Sequence, residues 1–332
     1  MKAAFIETQG PPSNLQFGDL PDPQPAADEV IVRVGASSVN PIDTYIRSGA
    51  VAAELPVRWI PGCDVAGTVE SVGADVTRFQ PGDRVWASNQ SLFGRQGTLA
   101  ELVSVQEQWL YPTPNGVSDE DAAAASLVGI TAHLGLYLHA GLQSDDVVFV
   151  NGGTGGVGSS VVQIAHAAGA RVITTVGSDE KVAAAVELGA TAAINYRRED
   201  VQQRLIALTE EHGKVSLWFE TLRNASPETT FPHLRKRGRY VLMAGRDARP
   251  EFPVGAFYVN DLRAFGFAMF NASPEEQRES AGHLNELLAA GKLKPLIGAR
   301  FTLSDAAAAH ALQEDNTLQS AGTLSGKIIV TP

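Results

Sequence analysis

The segment from residue 147 to residue 181 constrains the fold of this chain more than any other segment. It contains a short apolar run at residues 147–150, a glycine-rich turn, apolar residues at helical spacing, and a second apolar run, Arg171–Val176. A buried strand that leads through a helix into another buried strand is typical of a parallel sheet covered by helices. The segment therefore predicts an α/β fold built on a doubly wound parallel sheet.

The turn after the first strand matches the pattern G-x-G-x-x-G with Gly153, Gly155 and Gly158. Glycines at these positions permit a tight turn and allow backbone N–H groups to approach a pyrophosphate. A plain strand-to-helix turn that binds nothing would also contain glycine, but the flanking strand and helix patterns favour a dinucleotide site. The whole turn is expected to contact the dinucleotide, through Gly153, Thr154, Gly155, Gly156, Val157 and Gly158.

The end of the second strand indicates which dinucleotide is bound. Proteins that prefer NAD usually place an Asp or Glu there, which binds the ribose 2′-hydroxyl. This strand ends instead at Val176, and Gly177 and Ser178 follow it. Lys181 lies in the first turn of the next predicted helix, where it could pair with a 2′-phosphate; a solvated surface lysine is the alternative. The pattern predicts NADPH as the cofactor, with Gly177, Ser178 and Lys181 around its 2′-phosphate.

Composition excludes several classes of partner. The chain has 332 residues, enough for about two domains, and its net charge of −11 argues against binding to nucleic acid or to an anionic membrane. No signal peptide and no apolar run long enough to span a bilayer are visible. The single cysteine, Cys63, excludes an intramolecular disulfide framework and a multi-cysteine zinc lobe. These features predict a cytoplasmic protein in a reducing compartment.

The patterning divides the chain into three regions. Residues 1–121 contain short alternating runs between Pro and Gly, which predict a β-rich domain. Residues 122–265 open with a helix and alternate strands with helices. The tail, residues 266–332, contains two helices and two short strands. Four further strands are expected in the central and adjoining region, at residues 192–196, 215–220, 239–244 and 263–270.

Several specific motifs, spread over nearly the whole chain, carry a family resemblance. They are VNPIDTYIRSG at residues 39–49, PGCDVAGTV at 61–69, QPGDRV at 80–85, the glycine turn, INY at 194–196 and GKIIV at 326–330. With these motifs the chain resembles the medium-chain dehydrogenase/reductases and is most similar to their zinc-free quinone oxidoreductase branch. The resemblance implies a GroES-like catalytic domain at residues 1–121, a Rossmann NADPH-binding domain at 122–265, and a tail at 266–332 that returns to the catalytic domain.

The resemblance also implies which residues act on the substrate: Asn40, Asp43, Tyr45 and Arg47. Asn40 would donate a hydrogen bond to an acceptor carbonyl, Tyr45 would form a stacking wall and a proton relay, and Arg47 would be a more remote electrostatic contact. Structural alternatives exist for three of them. Asn40 could fix a turn, Asp43 could cap the helix, and Tyr45 could be a packing residue.

Further cofactor contacts follow from the same resemblance. Thr131 matches the position that binds the carboxamide, although an ordinary buried helix threonine would also fit there. Tyr196 and Lys327 are expected to join Lys181 at the 2′-phosphate, with an exposed strand lysine as the alternative for Lys327. The complete set of further contacts is Thr131, Tyr196, Gly245, Arg246, Phe270 and Lys327.

A catalytic zinc is not expected. The zinc alcohol dehydrogenases of the family carry Cys where this chain has Asn40, and Gly-His-Glu where it has Gly62, Cys63 and Asp64. A catalytic zinc needs about three protein ligands. Without a Lewis acid, reactions that develop an alkoxide are disfavoured, whereas hydride addition to a quinone or an activated C=C bond spreads the charge over a phenolate or enolate.

The expected function is therefore zinc-independent hydride transfer from NADPH to a small conjugated acceptor of the quinone type. Two alternatives stay open: an ene-reductase of α,β-unsaturated carbonyls or acids, and a non-catalytic NADPH-binding protein. Relatives often read Asp-Ser-Val-Gly where this chain has Glu220, Thr221, Leu222 and Arg223, and many have a second tyrosine near Val51. Both departures weaken the assignment of a simple quinone.

A homo-oligomer, dimer or tetramer, is also expected. Relatives of this kind are commonly oligomeric, and the apolar run at residues 265–270 resembles a strand that pairs at a sheet edge.

Overall fold

The structure is a computed structural model that describes residues 1–319 and 321–332. The chain forms two compact units. The first contains Met1–Leu127, Ser273–Ala289 and Pro295–Pro332, and the second contains Val128–Ala272 and Ala290–Lys294.

The strands of both units are numbered in chain order. They are β1 (Lys2–Phe5), β2 (Gln16–Asp19), β3 (Glu29–Val39), β4 (Asp64–Val72), β5 (Arg84–Ala87), β6 (Leu102–Gln106), β7 (Leu110–Pro112), β8 (Val147–Asn151), β9 (Arg171–Val176), β10 (Ala192–Asn195), β11 (Val215–Glu220), β12 (Leu234–Leu242), β13 (Arg263–Gly266), β14 (Ile297–Thr302) and β15 (Lys327–Thr331).

The helices are numbered in the same way. They are α1 (Pro41–Ser48), α2 (Asp119–His133), α3 (Gly156–Ala167), α4 (Asp179–Glu187), α5 (Val201–His212), α6 (Pro227–Thr230), α7 (Val254–Val259), α8 (Pro274–Ala289) and α9 (Ala306–Leu318). A π-helical segment, Leu134–His139, continues α2.

The first unit is built on a largely antiparallel sheet. Its strand order is β14-β15-β3-β4-β5-β7, β6 also pairs with β3, and β1 and β2 form a separate hairpin-like pair. The last strand of the chain, β15, pairs antiparallel with β3, so that Ile328 lies opposite Val39. Alternate residues of β3 and β4 face a core that includes Val32, Val65 and Val69. This pairing brings the end of the chain beside the residue that precedes α1.

The second unit contains a six-stranded sheet with the order β10-β9-β8-β11-β12-β13, and all of its neighbouring pairs are parallel. Counted within the unit, the order is 3-2-1-4-5-6, the order of dinucleotide-binding sheets whose ligands lie beyond the carboxyl ends of the strands. The rings of Phe149 and Trp218, on the two central strands, are 3.9 Å apart in the core. The predicted α/β class with a doubly wound parallel sheet and a β-rich partner domain is confirmed.

The compact units are divided at different residues from the boundaries expected from the patterning and the resemblance. The first division falls at Leu127, in the middle of α2, rather than at residue 121. A physical reason is that the backbone N–H of Leu127 donates to the buried carboxylate of Asp64, which ties the first turns of this continuous helix to the first unit. Residues 290–294 belong to the second unit rather than to a uniform tail.

The strand expected at residues 263–270 is shorter in the structure. β13 ends at Gly266, and a 3₁₀ turn, Met269–Asn271, follows. The neighbouring strand β12 ends at Leu242, which lies opposite Gly266, so the ladder has no further partner residues. β13 is the last strand in the order and thus forms one edge of the sheet.

One helical segment, Asp119–His139, is long and apolar enough to cross a membrane by length and composition alone. The sequence had not shown it as one apolar run. Of its most apolar window, 83% is buried inside the protein, as is usual for a core helix.

Candidate functional site

The glycine turn lies at the carboxyl end of β8, beside the point where the strand order of the sheet reverses. Gly155 is the N-cap of α3, and the first α-helical hydrogen bond of this region runs from the N–H of Ser159 to the carbonyl of Gly155 at 2.9 Å. The N–H groups of Gly156, Val157 and Gly158 therefore have no acceptor within the helix. Such an array of N–H groups at a helix N-terminus suits the phosphates of a dinucleotide.

Two of the glycines are required by close packing. A Cβ atom at Gly153 would lie 2.1 Å from the hydroxyl oxygen of Thr174, and one at Gly158 would lie 2.1 Å from the carbonyl oxygen of Gly152. Real Cβ atoms do not approach so closely, so only glycine allows α3 to sit directly on the turn. Thr154 is buried within the same turn.

The loop after β9 contains the residues expected at a 2′-phosphate. Ser178 caps α4, because its hydroxyl oxygen accepts a hydrogen bond from the N–H of Lys181 at 3.3 Å. The hydroxyl of Tyr196 lies against Gly177, in the space that a side chain at position 177 would need. Partial burial lowers the pKa of the Lys181 ammonium, and the positive charge of Arg197 lowers it further. The structure thus brings Gly177, Ser178, Lys181 and Tyr196 together.

Two arginines in this loop region were missed from the sequence. Arg197 contributes positive charge near Lys181, and Arg198 forms an ion pair with Asp179. The other carboxylate oxygen of Asp179 accepts a hydrogen bond from Asn195 Nδ2 at 2.6 Å. These contacts offset the negative charge of Asp179, while Glu180, the second carboxylate of this helical turn, has its pKa lowered chiefly by a hydrogen bond with the Ser178 side chain. Both arginines directly follow the INY motif, which was the available signal.

The remaining predicted cofactor residues of the second unit lie on three elements or their extensions. Gly245 and Arg246 follow the carboxyl end of β12, and Arg246 is exposed. Phe270 is half-buried in the 3₁₀ turn after β13, and Thr131 is buried in α2. The carbonyl oxygen of Arg223, on the loop after β11, lies directly beside Gly245. The roles of these residues stay predictions.

In the first unit, Asn40 and Asp43 begin α1. The carboxylate of Asp43 accepts a hydrogen bond from the N–H of Asn40 at 2.8 Å, which is the helix-capping role considered for Asp43. Asn40 is fully buried, its Nδ2 donates to Asp64 Oδ2 at 2.7 Å, and its Oδ1 accepts from the ammonium of Lys327. A carboxylate only accepts and an ammonium only donates, so the orientation of the amide is determined by its two partners.

Asp64 is the centre of a group of buried polar residues that we call the Asp64 network: Ser38, Asn40, Asp64, Ser88 and Lys327. Its carboxylate accepts from Ser38 Oγ at 2.7 Å, Asn40 Nδ2 at 2.7 Å, Ser88 Oγ at 2.8 Å and the N–H of Leu127 at 3.1 Å. Burial raises the pKa of Asp64, and the nearby ammonium of Lys327 and the side-chain donors oppose that rise. The sequence did not identify Asp64 as a central residue.

The prediction that Lys327 joins the 2′-phosphate site is wrong. Lys327 is buried in the first unit, where its ammonium donates to the carbonyl of Val39 at 2.9 Å and to Asn40 Oδ1, and lies 3.8 Å from Asp64 Oδ2. The reason is the pairing of β15 with β3, which places Lys327 beside the end of β3. Burial lowers the pKa of Lys327, and the charge of Asp64 opposes the change.

Asp43 and Cys63 lie next to the Asp64 network. Burial raises the pKa of Asp43 to about 6, with the thiol of Cys63 and the N–H of Asn40 acting in the opposite direction. Burial also raises the pKa of the Cys63 thiol well above its ordinary value, so this cysteine is protonated. Within residues 1–319 and 321–332, no cluster of three or more His, Cys, Asp or Glu residues has the arrangement of a metal site.

Arg47 is placed differently from its predicted role as a remote contact of the substrate. Its side chain is fully buried, its guanidinium forms an ion pair with Glu314 of α9, and it also donates to the carbonyl of Gly10. Burial, together with the charge of Arg47, lowers the pKa of the buried His310 to about 3. Arg47 therefore joins α1 to α9 and to the N-terminal segment, a role that required tertiary information.

Tyr45 lies on α1, one turn after Asn40, and is half-buried. Its carbonyl accepts a hydrogen bond from the N–H of Val51 at 3.1 Å, which keeps the small residues around position 51 next to α1. The roles of Tyr45 as stacking wall and proton relay stay predictions.

Known proteins resemble the chain over its whole length. Residues 26–115 match the alcohol dehydrogenase GroES-like domain, and residues 156–286 match the family described as zinc-binding dehydrogenase. The quinone oxidoreductase of Rattus norvegicus is 30% identical over 331 residues, which are 99% of this chain and 97% of that protein.

Two solved structures have the same fold. The structure of Escherichia coli quinone oxidoreductase complexed with NADPH is 28% identical, with both chains covered completely and a TM-score of 0.86. An NAD-dependent alcohol dehydrogenase is 27% identical, also over both complete chains, with a TM-score of 0.87. Because these matches extend over both units, the chain belongs to the medium-chain dehydrogenase/reductase family, in which it is a homologue of the quinone oxidoreductases.

Proposed function

We propose that the protein is a zinc-independent oxidoreductase that uses NADPH to reduce a small conjugated acceptor of the quinone type. The observation that carries the proposal is the carboxyl edge of the parallel sheet. There the unpaired N–H groups of α3 lie next to a small loop with Lys181, Arg197 and Tyr196. The E. coli relative with this fold was solved with NADPH, which supports the same cofactor here.

The residues of this edge fit NADPH in particular. A pyrophosphate requires N–H donors and a close backbone approach, which the turn at Gly153 and Gly158 offers. A 2′-phosphate requires positive charge, which Lys181, Arg197 and Arg198 supply, and the ion pair with Arg198 offsets the charge of the nearby Asp179. NADPH, when bound, supplies the hydride. The NAD-dependent relative makes a comparison with NADH an essential part of any test.

A zinc ion does not fit the corresponding part of the first unit. Both oxygens of Asp64 already accept hydrogen bonds, four in all, and the ammonium of Lys327 supplies a positive charge beside them. Asn40 is a poor zinc ligand, and its amide is engaged on both sides.

In this proposal, Tyr45 of α1 receives the acceptor, and the buried residues at the start of the helix position it. The amide of Asn40 is buried and bound on both sides, so Asn40 acts by fixing the first turn of the helix together with Asp43, rather than by the predicted hydrogen bond to an acceptor carbonyl. Tyr45, one turn further on, forms a wall for a planar acceptor and donates a proton or relays one from solvent. Negative charge on the reduced acceptor is delocalised, so hydrogen-bond donors suffice to stabilise it.

An ene-reductase is the second candidate, and the segment next to Tyr45 favours it. The N–H of Val51 bonds to the carbonyl of Tyr45, so positions 50–52 lie beside α1, and they carry small side chains. A single aromatic wall suits an enone or an enal at least as well as a quinone ring, which would be held better between two aromatic rings.

The loss of NADPH absorbance with different acceptors tests these functions. We expect oxidation of NADPH by simple quinones, and faster turnover than with NADH. Turnover with enones or unsaturated acids but not with quinones would establish the second candidate. Tight binding of NADPH without turnover of either acceptor class would leave a non-catalytic binding protein.

A homo-oligomer is part of the proposal. Three residues of α7, Val254, Tyr258 and Val259, are 64%, 68% and 62% exposed, which is unusual for large apolar side chains, and β13 is an edge strand. Pairing of these surfaces between copies would cover both. Light scattering that reports only monomer would contradict this part. The reducing, cytoplasmic setting also stays a proposal, and the buried, protonated thiol of Cys63 is compatible with it.

A further inference from the structure

A line of hydrogen bonds lies beneath the glycine turn, at the carboxyl ends of three neighbouring strands. Asn151 ends β8, Glu220 ends β11, and Thr175 is the next-to-last residue of β9. In the parallel sheet Glu220 is the direct partner of Asn151. The three side chains therefore lie in one row across the point where the strand order reverses.

The row forms what we call the Glu220 chain: Gly152, Thr175, Asn151 and Glu220. The N–H of Gly152 donates to Thr175 Oγ1 at 3.0 Å, and the Thr175 hydroxyl donates to Asn151 Oδ1 at 2.6 Å. Asn151 Nδ2 then donates to Glu220 Oε2 at 3.1 Å. Every donor points from the turn towards the carboxylate, and the line connects Gly152, the first residue of the turn, to a buried acid.

When Glu220 is ionised, its carboxylate determines the direction of the whole chain. A carboxylate only accepts hydrogen bonds, so Asn151 must direct its NH₂ group to Glu220 and its oxygen to Thr175. The hydroxyl of Thr175 then has to donate to that oxygen, which leaves its own lone pairs for the N–H of Gly152. A neutral amide in place of Glu220 could reverse the amide of Asn151 and the donor role of the Thr175 hydroxyl, because an amide both donates and accepts.

The backbone at Gly152 determines how the chain enters the glycine turn. Its φ is +85°, and the next residue is also bound to β9, since the N–H of Gly153 donates to the carbonyl of Thr175 at 3.1 Å. The hydroxyl of Thr221, on the other side, donates to the carbonyl of Asn151. The path of the backbone into the turn is thus held from β9 and from the loop after β11.

Glu220 itself is expensive to bury. It is 2% exposed, and the three donors assigned to it are neutral: Asn151 Nδ2, the N–H of Leu222 at 2.8 Å and Trp218 Nε1 at 3.3 Å. A buried carboxylate without a cation costs free energy, and burial raises the pKa of Glu220. A satisfied core residue that only holds the loop at Leu222 would explain one of these bonds, but not its connection to the turn.

We propose that Glu220 is a positioning residue for dinucleotide binding, which acts through Asn151 and Thr175 on the backbone of Gly152. This inference rests on the proposed dinucleotide site at the glycine turn. The turn contacts the pyrophosphate that NADPH and NADH share. Loss of the carboxylate should therefore weaken the binding of both dinucleotides by the same factor. A change in the segment after β9 that contains Ser178 and Lys181, which we call the 2′-phosphate loop, should affect the binding of NADPH alone.

The test measures the Kd of NADPH and of NADH by fluorescence titration for wild type and for Glu220→Gln. We expect both Kd values to rise about tenfold, the effect of losing roughly one charge-assisted hydrogen bond. Trp218→Phe is the matched control, since it removes one neutral donor to Glu220 and leaves the Glu220 chain intact; its Kd values should stay within about twofold. Glu220→Asp, which keeps the charge, should recover part of the affinity.

A pH series separates positioning from simple packing. For wild type, the Kd of NADH should rise as the pH falls through the raised pKa of Glu220, and Glu220→Gln should lack this rise. NADH is used because it has no 2′-phosphate that titrates. A packing role alone would weaken binding equally at all pH values, and that result would overturn the inference.

Thr175→Val keeps the test decisive if Glu220→Gln fails to fold. It interrupts the Glu220 chain at the hydroxyl without touching the carboxylate, and it should weaken both dinucleotides. Wild-type Kd values for both ligands in the Thr175 or Glu220 variant would refute the inference alone. If wild type bound neither dinucleotide, the proposed function itself would fail.

Discussion

The two units contain buried polar arrangements that differ in where they end. The Glu220 chain ends at a backbone N–H of the proposed dinucleotide turn, and its carboxylate has neutral partners. The Asp64 network ends inside the protein, and it contains its own cation, Lys327. A buried carboxylate that has a cation beside it, such as Asp64, is compensated within the protein core. A buried carboxylate with neutral partners only, such as Glu220, can instead influence a surface through the hydrogen bonds it accepts.

The largest expected effect comes from a substitution in the Asp64 network. Lys327→Met removes the only charge that directly compensates Asp64 in the Asp64 network, and removal of one partner of a buried pair typically costs about 3–5 kcal/mol. Denaturant unfolding should show a loss in this range. Lys2→Met, at an exposed ion pair with Asp19, is the control and should leave the midpoint nearly unchanged. Equal effects of the two variants would show that the network is not needed for stability.

The second effect comes from a substitution at the proposed dinucleotide site of the second unit. Lys181→Ala removes the side-chain ammonium, which is both a positive charge and a hydrogen-bond donor, from the loop after β9. The Kd of NADPH should therefore rise about tenfold or more, while the Kd of NADH stays constant. Lys292→Ala, an exposed lysine of the same unit, controls for general electrostatics. Fluorescence titration of both ligands is the measurement. An unchanged ratio of the two Kd values would remove Lys181 from the site.

The third prediction concerns the pH dependence of stability that Asp43, next to the Asp64 network, should produce. The pKa of Asp43 rises on folding from 3.8 to about 6, so the folded state favours the protonated acid. The stabilisation this provides is present at low pH and is lost as the pH rises between these two values. Asp43→Asn, which still accepts from the N–H of Asn40, should therefore gain stability relative to wild type over this range. A difference in unfolding free energy between Asp43→Asn and wild type that does not change with pH would contradict the raised pKa of Asp43.

The smallest effect concerns an exposed ion pair. Arg198→Ala releases the carboxylate of Asp179 next to the 2′-phosphate loop, and the Kd of NADPH should rise about two- to threefold at low salt. The difference from wild type should shrink as ionic strength increases. NADH, which lacks the phosphate, should bind to both proteins alike; weaker NADH binding would indicate a structural change in the loop instead.

Much of the second unit was predictable because its signals are local. The run from residue 147 to residue 181 contains a strand, a turn and a helix whose order alone predicts the parallel sheet. The glycines at 153 and 158 are required by contacts within a few residues or to the next strand, so the motif identifies them directly. Arg197 and Arg198 were missed because their effect depends on β10 lying beside β9.

The first unit was less predictable because its important contacts are distant in sequence. Asn40 and Asp43 lie at the start of α1, as N-cap and in the first turn, and the helix-cap alternative for Asp43 is seen directly. The resemblance could not show that Arg47 reaches Glu314, or that Lys327 lies on Asn40, 287 residues away along the chain.

The sequence by itself determined the fold class and the dinucleotide turn. These features depend on periodicity and on residue type, which are properties of short segments. The tertiary structure alone decided which charges are paired, because strand pairing brings β15 beside β3 and places Glu220 beside Asn151. Burial then makes those pairings energetically decisive, since a charge removed from water has to find its partners within the fold.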